Sequence, residues 1–162
     1  MRKLKIYFDT SVINFLFAED APEKMEITHE YFDWFVKRKV YDHYVSAIVV
    51  DEIEKTEDIK HKENLLKVIK EYDLIELSLD PEDEIIALAN QYLIGHVVPD
   101  KKLEDALHVA LATIHGIDVL LSWNYRHLAN INKEKKFEII NLKNGYSKTP
   151  RLCSPMEVFN EK

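Results

Sequence analysis

Three carboxylates and one amide are the residues of this chain whose types and positions could do chemistry. Asp9 ends the alternating stretch Leu4-Lys5-Ile6-Tyr7-Phe8 and leads directly into Thr10, Ser11 and a short amphipathic run. That pattern predicts a strand turning into a helix, which puts Asp9 at the carboxyl edge of a sheet, where open α/β sheets bind ligands. Asp9 and Ser11 would equally cap the following helix, so this stretch alone leaves both readings open. Glu52 falls in Ala47-Ile48-Val49-Val50-Asp51-Glu52-Ile53, Asp105 in the first turns of a regular helix, and Asn124 after the apolar run Val119-Leu120-Leu121. Facing one cleft, such acids repel one another and raise each other's pKa values unless a cation neutralises them. Mg²⁺ or Mn²⁺ fits best, being a hard ion that prefers oxygen ligands and accepts water in an incomplete shell. Each residue also has an ordinary structural role: Glu52 as a surface helix residue, Asp105 as an acid favoured by the helix dipole, Asn124 as a turn residue.

The elements that must position these groups alternate. Strands are expected near residues 4–8, 41–45, 74–79 and 117–121, with a fifth at Phe137 to Leu142. Between them lie helices at Ser11 to Phe17, from Pro22 to about Lys37, after Ser46 as N-cap, at Thr56 to Tyr72, from Asp80-Pro81 to Gly95, at Leu103 to His115 and, briefly, at Tyr125 to Asn130. Thr149 to Val158 reads as a tail with a possible final turn. Strands alternating with helices over short connections specify an α/β fold, three layers deep, with a mostly parallel five-stranded sheet. On the two helices, Asp51 and Glu104 should point away from the cleft that Glu52 and Asp105 face, since adjacent helical positions diverge by about 100°.

With 162 residues, 46% of them apolar, and no Ser- or Pro-rich linker or repeat, the chain is expected to form a single domain over residues 1–162. No apolar run has the length of a membrane span, and Met1-Arg2-Lys3 leads into a strand pattern rather than a signal peptide, so a cytoplasmic protein without membrane contact is expected. One cysteine, Cys153, excludes an internal disulfide and argues against structural zinc. The net charge of −7 argues against nucleic-acid binding through overall charge. Local basic groups remain at Lys37-Arg38-Lys39, Lys101-Lys102, Arg126, Lys133 and Lys135-Lys136, each most simply a solvated face. The aromatic run Tyr31-Phe32-Trp34-Phe35 reads as core or dimer surface, and His108 as a packed or surface histidine.

Four blocks, in order and spacing, resemble the PIN domain: Ile6-Tyr7-Phe8-Asp9-Thr10-Ser11-Val12-Ile13, Ser46-Ala47-Ile48-Val49-Val50-Asp51-Glu52-Ile53, Leu103-Glu104-Asp105-Ala106-Leu107-His108-Val109-Ala110 and Leu120-Leu121-Ser122-Trp123-Asn124-Tyr125-Arg126-His127-Leu128. The resemblance implies a metal-dependent ribonuclease, and by size the chain looks most like a single-domain toxin of the VapC type. It further implies an RNA substrate, 5'-phosphate and 3'-hydroxyl products, a small antitoxin partner and a homodimer. Asp9, Glu52 and Asp105 match the family's acidic positions, and Asn124 stands where many members carry a fourth Asp. On that reading Asp9 and Asp105 ligate the principal ion, Glu52 orients its shell or accepts a proton, and Asn124 helps hold a second ion or a water. Thr10 or Ser11 donates a hydrogen bond into the site, and Arg126 contacts phosphate. An amide for a carboxylate removes a charge and weakens a second metal site. A non-catalytic PIN-like module that binds RNA or protein is the alternative. A phosphotransferase of the haloacid-dehalogenase type fits less well, because it wants an acid where Ser11 stands, and phosphate loops lack their glycines.

Overall fold

The computed structural model describes residues 2–159; Met1 and Asn160–Lys162, the ends of the expected domain span, lie outside them. Its strands are β1 (Lys5–Phe8), β2 (Asp42–Ser46), β3 (Ile75–Leu77), β4 (Val119–Leu121) and β5 (Arg151–Cys153), ordered β3-β2-β1-β4-β5. All four pairings are parallel, so every strand delivers its carboxyl end to the same edge. The helices are α1 (Thr10–Asn14), α2 (Pro22–Tyr31), α3 (Ala47–Glu54), α4 (Ile59–Glu71), α5 (Glu82–Ile94), α6 (Leu103–Ile114), α7 (Ile131–Lys143) and α8 (Pro155–Phe159). The chain winds outward from β1 through β2 to β3, then returns to β4 and β5 on the other side. Because parallel crossovers are right-handed, this reversal puts α1–α4 on one face of the sheet and α5–α7 on the other, the expected three layers. The reversal also creates a crevice between the carboxyl ends of β1 and β4, where such sheets take ligands.

The central strand explains its own position: Ile6, Tyr7 and Phe8 are all buried, as a strand covered on both faces requires. Phe8 packs against Phe32, Tyr31 and His43, and Tyr31 hydrogen-bonds the His43 ring at 2.8 Å. Burial holds that imidazole neutral by pushing its pKa down to about 3. On the opposite face the Tyr92 hydroxyl donates to Asn141 Oδ1 at 2.5 Å, and Asn141 Nδ2 donates to Thr113 and Thr149, tying α5, α6 and α7 together. At the amino end of β4, Asp118 accepts from Arg2, from Lys148 and from the Lys5 backbone N–H. These cations hold its carboxyl well below the usual range and pin β4 to β1 at the end remote from the crevice.

Three expectations are corrected. Phe137 to Leu142 is helical, within α7, not a strand: Phe137 and Asn141 are buried while Ile139 and Leu142 are over half exposed, a period of about four rather than two. The run is too short to betray its period, but Asn130 caps the helix by accepting from the Lys133 N–H at 2.8 Å. The fifth strand is instead β5, in the supposed tail, where Leu152 pairs with Leu120. Tyr125 to Asn130 forms hydrogen-bonded turns rather than a helix. The long aromatic helix from Pro22 reaches Val36 through a π turn at Phe32–Val36. It buries Tyr31, Phe32 and Phe35 and leaves Trp34 exposed under the Arg38 guanidinium.

Candidate active site

Asp9 leaves β1 with extended backbone at the N-cap position of α1, but its side chain makes no capping hydrogen bond. Its carboxylate is buried and clamped by two hydroxyls: Ser11 donates to Oδ1 at 2.5 Å and Ser122, just beyond β4, donates to Oδ2 at 2.6 Å. The Ser11 oxygen in turn accepts the Trp123 N–H at 2.9 Å, and the Ser122 oxygen accepts the Asn124 N–H at 2.9 Å. The two halves of the crevice are thereby knitted together by side chains rather than by the sheet alone.

Glu52 arrives on α3. Ser46 starts that helix by accepting the Ile48 and Val49 N–H groups, and its hydroxyl also meets the Tyr7 hydroxyl at 2.7 Å. Tyr7 continues to His108 Nδ1 at 2.6 Å, and His108 Nε2 reaches Glu52 Oε1 at 2.7 Å. A chain of buried groups, Ser46 on β2, Tyr7 on β1 and His108 on α6, therefore runs to the half-buried Glu52 carboxylate and fixes it. Asp51 and Glu104 are exposed, as the helical geometry predicts. Asp105, on α6, accepts from Asn124 Nδ2 at 3.3 Å, while Asn124 Oδ1 accepts the His127 N–H at 3.0 Å. Asn124 thus stabilises its own turn and steadies Asp105.

The electrostatics report the same convergence. Burial pushes the Asp9 carboxyl above its ordinary pKa; the Asp105 charge adds to this, while His108, Ser11 and Ser122 oppose it. Asp105 is also raised, by burial first and then by the charges of Glu52 and Glu104, against the pull of His108 and Lys102. Burial would raise Glu52 too, but its hydrogen bond to His108, the imidazolium charge, Thr10 and Lys55 bring it below the usual value. Burial likewise opposes a charge on His108, and the hydrogen bond and charge of Glu52, with Asp9 and Asp105, overcome it and raise the imidazole's pKa. His108 and the three acids brought in by β1, α3 and α6 thus act on one another's ionisation.

The donor set suits a hard divalent ion. It combines carboxylate oxygens brought in by β1, α3 and α6 with a buried Thr10 hydroxyl that forms no hydrogen bond of regular geometry. Among the described residues no three His, Cys, Asp or Glu side chains are grouped as a metal cage. Water would therefore complete the shell of an ion held here.

The PIN domain family profile matches residues 6–134, a span holding all four of these polar positions. The chain belongs to the PIN domain family. Its fold is similar to that in the crystal structure of VapBC2 from Rickettsia felis bound to a DNA fragment from their promoter. That match has a TM-score of 0.57 and 12% identity and covers 76% of this chain and 90% of that one. FitAB bound to the IR36 DNA fragment is similar at a TM-score of 0.55 and 20% identity, covering 75% and 87% of the respective chains. At these identities the likeness is one of fold. No curated protein matches the sequence. Among the described residues no helix of this PIN domain is long and apolar enough to cross a membrane.

His108 is the residue that sequence reading undervalues. It lies three positions after Asp105, hence on the same side of α6, and that spacing was the available signal. Arg126 is exposed and, with Lys133, Lys102 and Lys101, acts after burial to depress the pKa of His127. Lys133 is partly committed, donating to the Val97 carbonyl.

Proposed function

We propose that this PIN domain is a divalent-metal-dependent endoribonuclease, the toxin of a toxin–antitoxin pair. What supports the reading is geometry at the sheet's switch point: Asp9 follows β1 under the Ser11 and Ser122 clamp, and His108 ties Glu52 of α3 to α6, the helix that carries Asp105. A bound Mg²⁺ or Mn²⁺ supplies Lewis acidity, lowering the pKa of a water and offsetting charge on the scissile phosphate. Asp9 and Asp105 are the residues that would hold it. Glu52, oriented through His108, steadies the shell or takes a proton from the attacking water, and Ser11 and Ser122 keep the Asp9 carboxylate in place. Thr10 offers a hydroxyl at the same edge, and Arg126 with Lys101 and Lys102 attracts the phosphate backbone. The deciding experiment is a titration of Mg²⁺ and Mn²⁺ against labelled RNA. Cleavage that needs the ion supports the reading, and RNA that stays intact at every ion concentration overturns it.

The two similar structures are of VapBC2 and FitAB, which favours a small antitoxin as partner here. The product of a neighbouring short reading frame should copurify with the chain and suppress cleavage; one that does neither rejects that partner. A homodimer is the accompanying expectation, to be read from light scattering.

A second reading, a PIN module that binds without cutting, is favoured by Asn124 and by the internal donors already satisfying Asp9, Glu52 and Asp105. Asn124→Asp separates the two. It restores a charged ligand but removes the N–H that Asp105 accepts. Mn²⁺ should then bind about tenfold more tightly, with faster cleavage, while the metal-free protein melts lower through like-charge repulsion. Unchanged Mn²⁺ affinity by calorimetry would show that Asn124 stands outside the ion's reach.

A further inference from the structure

Phe15, Trp123 and Tyr125 surround one cation: the Lys24 ammonium lies 5.6, 5.7 and 5.2 Å from their ring centroids. The rings pack on one another, Phe15 on Trp123 at 5.7 Å and Trp123 edge-on to Tyr125 at 6.1 Å. The indole N–H is fixed by Thr28 Oγ1 at 2.9 Å. Two of these segments also build the candidate active site. Phe15 comes one turn after Ser11, and Trp123 and Tyr125 bracket Asn124, with the Trp123 N–H on the very Ser11 oxygen that holds Asp9. The cage is therefore anchored to the rim of the acidic crevice.

Two features of Lys24 need explaining. It sits in the first turn of α2, where the helix dipole disfavours a cation. Among the described residues no carboxylate forms an ion pair with it, in contrast to Arg2 and Lys148, whose charges Asp118 cancels. Aromatic rings orient a cation without neutralising it, so the full charge stays available to an anion. Lys24 is also open to an approaching group at the amino end of α2, where it lines a hollow of about 350 Å³ with Ala21, Pro22 and Glu23. Tyr125 is 41% exposed and offers a ring to an incoming planar group.

We propose that this cage is a nucleotide subsite for single-stranded RNA beside the scissile position, with Lys24 contacting a flanking phosphate and Tyr125 stacking a base. The assignment rests on the ribonuclease reading, and its test separates the two. Steady-state cleavage of a labelled single-stranded RNA in Mn²⁺ is measured against salt for wild type, Lys24→Gln, Lys24→Arg, Tyr125→Ala and Tyr125→Phe, with melting temperatures alongside. Lys24→Gln should raise KM about fivefold, leave kcat within about twofold, and reduce the slope of log KM on log salt by about 0.7, the loss of one phosphate contact on a single strand. Lys24→Arg should restore the slope. Tyr125→Ala should raise KM about tenfold, and Tyr125→Phe should not, since a ring suffices for stacking. A wild type that cleaves while Lys24→Gln keeps its KM and salt slope, whatever its melting temperature, overturns the subsite and leaves the nuclease standing. A wild type that neither binds nor cleaves RNA removes both.

Discussion

Asp9→Asn is expected to reduce RNA cleavage at least ~10³-fold while leaving the metal-free fold as stable as before or more so. The loss follows from charge: Lewis-acid stabilisation of the transition state is worth several kcal/mol, and each ~1.4 kcal/mol is a factor of ten. The fold tolerates the change because an amide still accepts from one serine hydroxyl and can donate to the other. The sign of the stability effect comes from Asp9's raised pKa. A carboxyl that ionises less readily in the folded state than in the unfolded one costs stability above both pKa values, and this cost fades as pH falls toward the unfolded value of about 3.9. Melting in EDTA should therefore show the variant level with or above wild type at pH 7, with any gap closing near pH 4. Cleavage within tenfold of wild type would remove Asp9 from the chemistry.

His108→Leu is the second large effect. The imidazole carries no proposed contact with RNA, yet its loss leaves Glu52 without its cation and Tyr7 with Ser46 alone. Removing one partner of a buried ion pair costs about 2–4 kcal/mol here, Glu52 being partly exposed. Cleavage should fall ~10²-fold, the typical penalty for a reacting group displaced by about an ångström. His108 has its pKa raised by folding, so its contribution is complete below about 6.5 and is lost as pH rises through the folded value. Glu52 has its pKa lowered, so its contribution is present above about 4.3 and is lost as pH falls through the folded value. Metal-free wild type should therefore lose stability on the alkaline side, and the variant should lack that decline. His108→Gln, which retains an N–H donor toward Glu52, should recover part of the cleavage. If Leu and Gln variants cleave alike at matched stability, the imidazole does not position Glu52.

Much of this was legible in the residues, and the exceptions have physical reasons. Asp9 could be placed because a strand that ends in a carboxylate and turns at once into a helix has one location in a parallel sheet. Glu52 and Asp105 are singled out by the blocks that resemble the PIN domain, and helical phase then turns their neighbours Asp51 and Glu104 outward. Strand β5 leaves no signature because three residues are too few to show alternation, and part of α7 resembles a strand because Phe-Glu-Ile-Ile-Asn-Leu is rich in β-favouring residues while its burial has helical period. The Ser122 half of the clamp on Asp9 and the imidazole on Glu52 join residues 113 and 56 positions apart, the cage around Lys24 joins three separate segments, and local patterns carry no record of such pairings.

The Ser122 clamp on Asp9 has a consequence during synthesis. Because that bond joins residues well over a hundred positions apart, a polypeptide still on the ribosome before β4 is made would hold the Asp9 carboxylate by Ser11 alone. On the proposed nuclease reading, cleavage is therefore expected only from chains whose β4 has emerged and docked beside β1, so a partial copy would spare RNA and a full one would need its antitoxin.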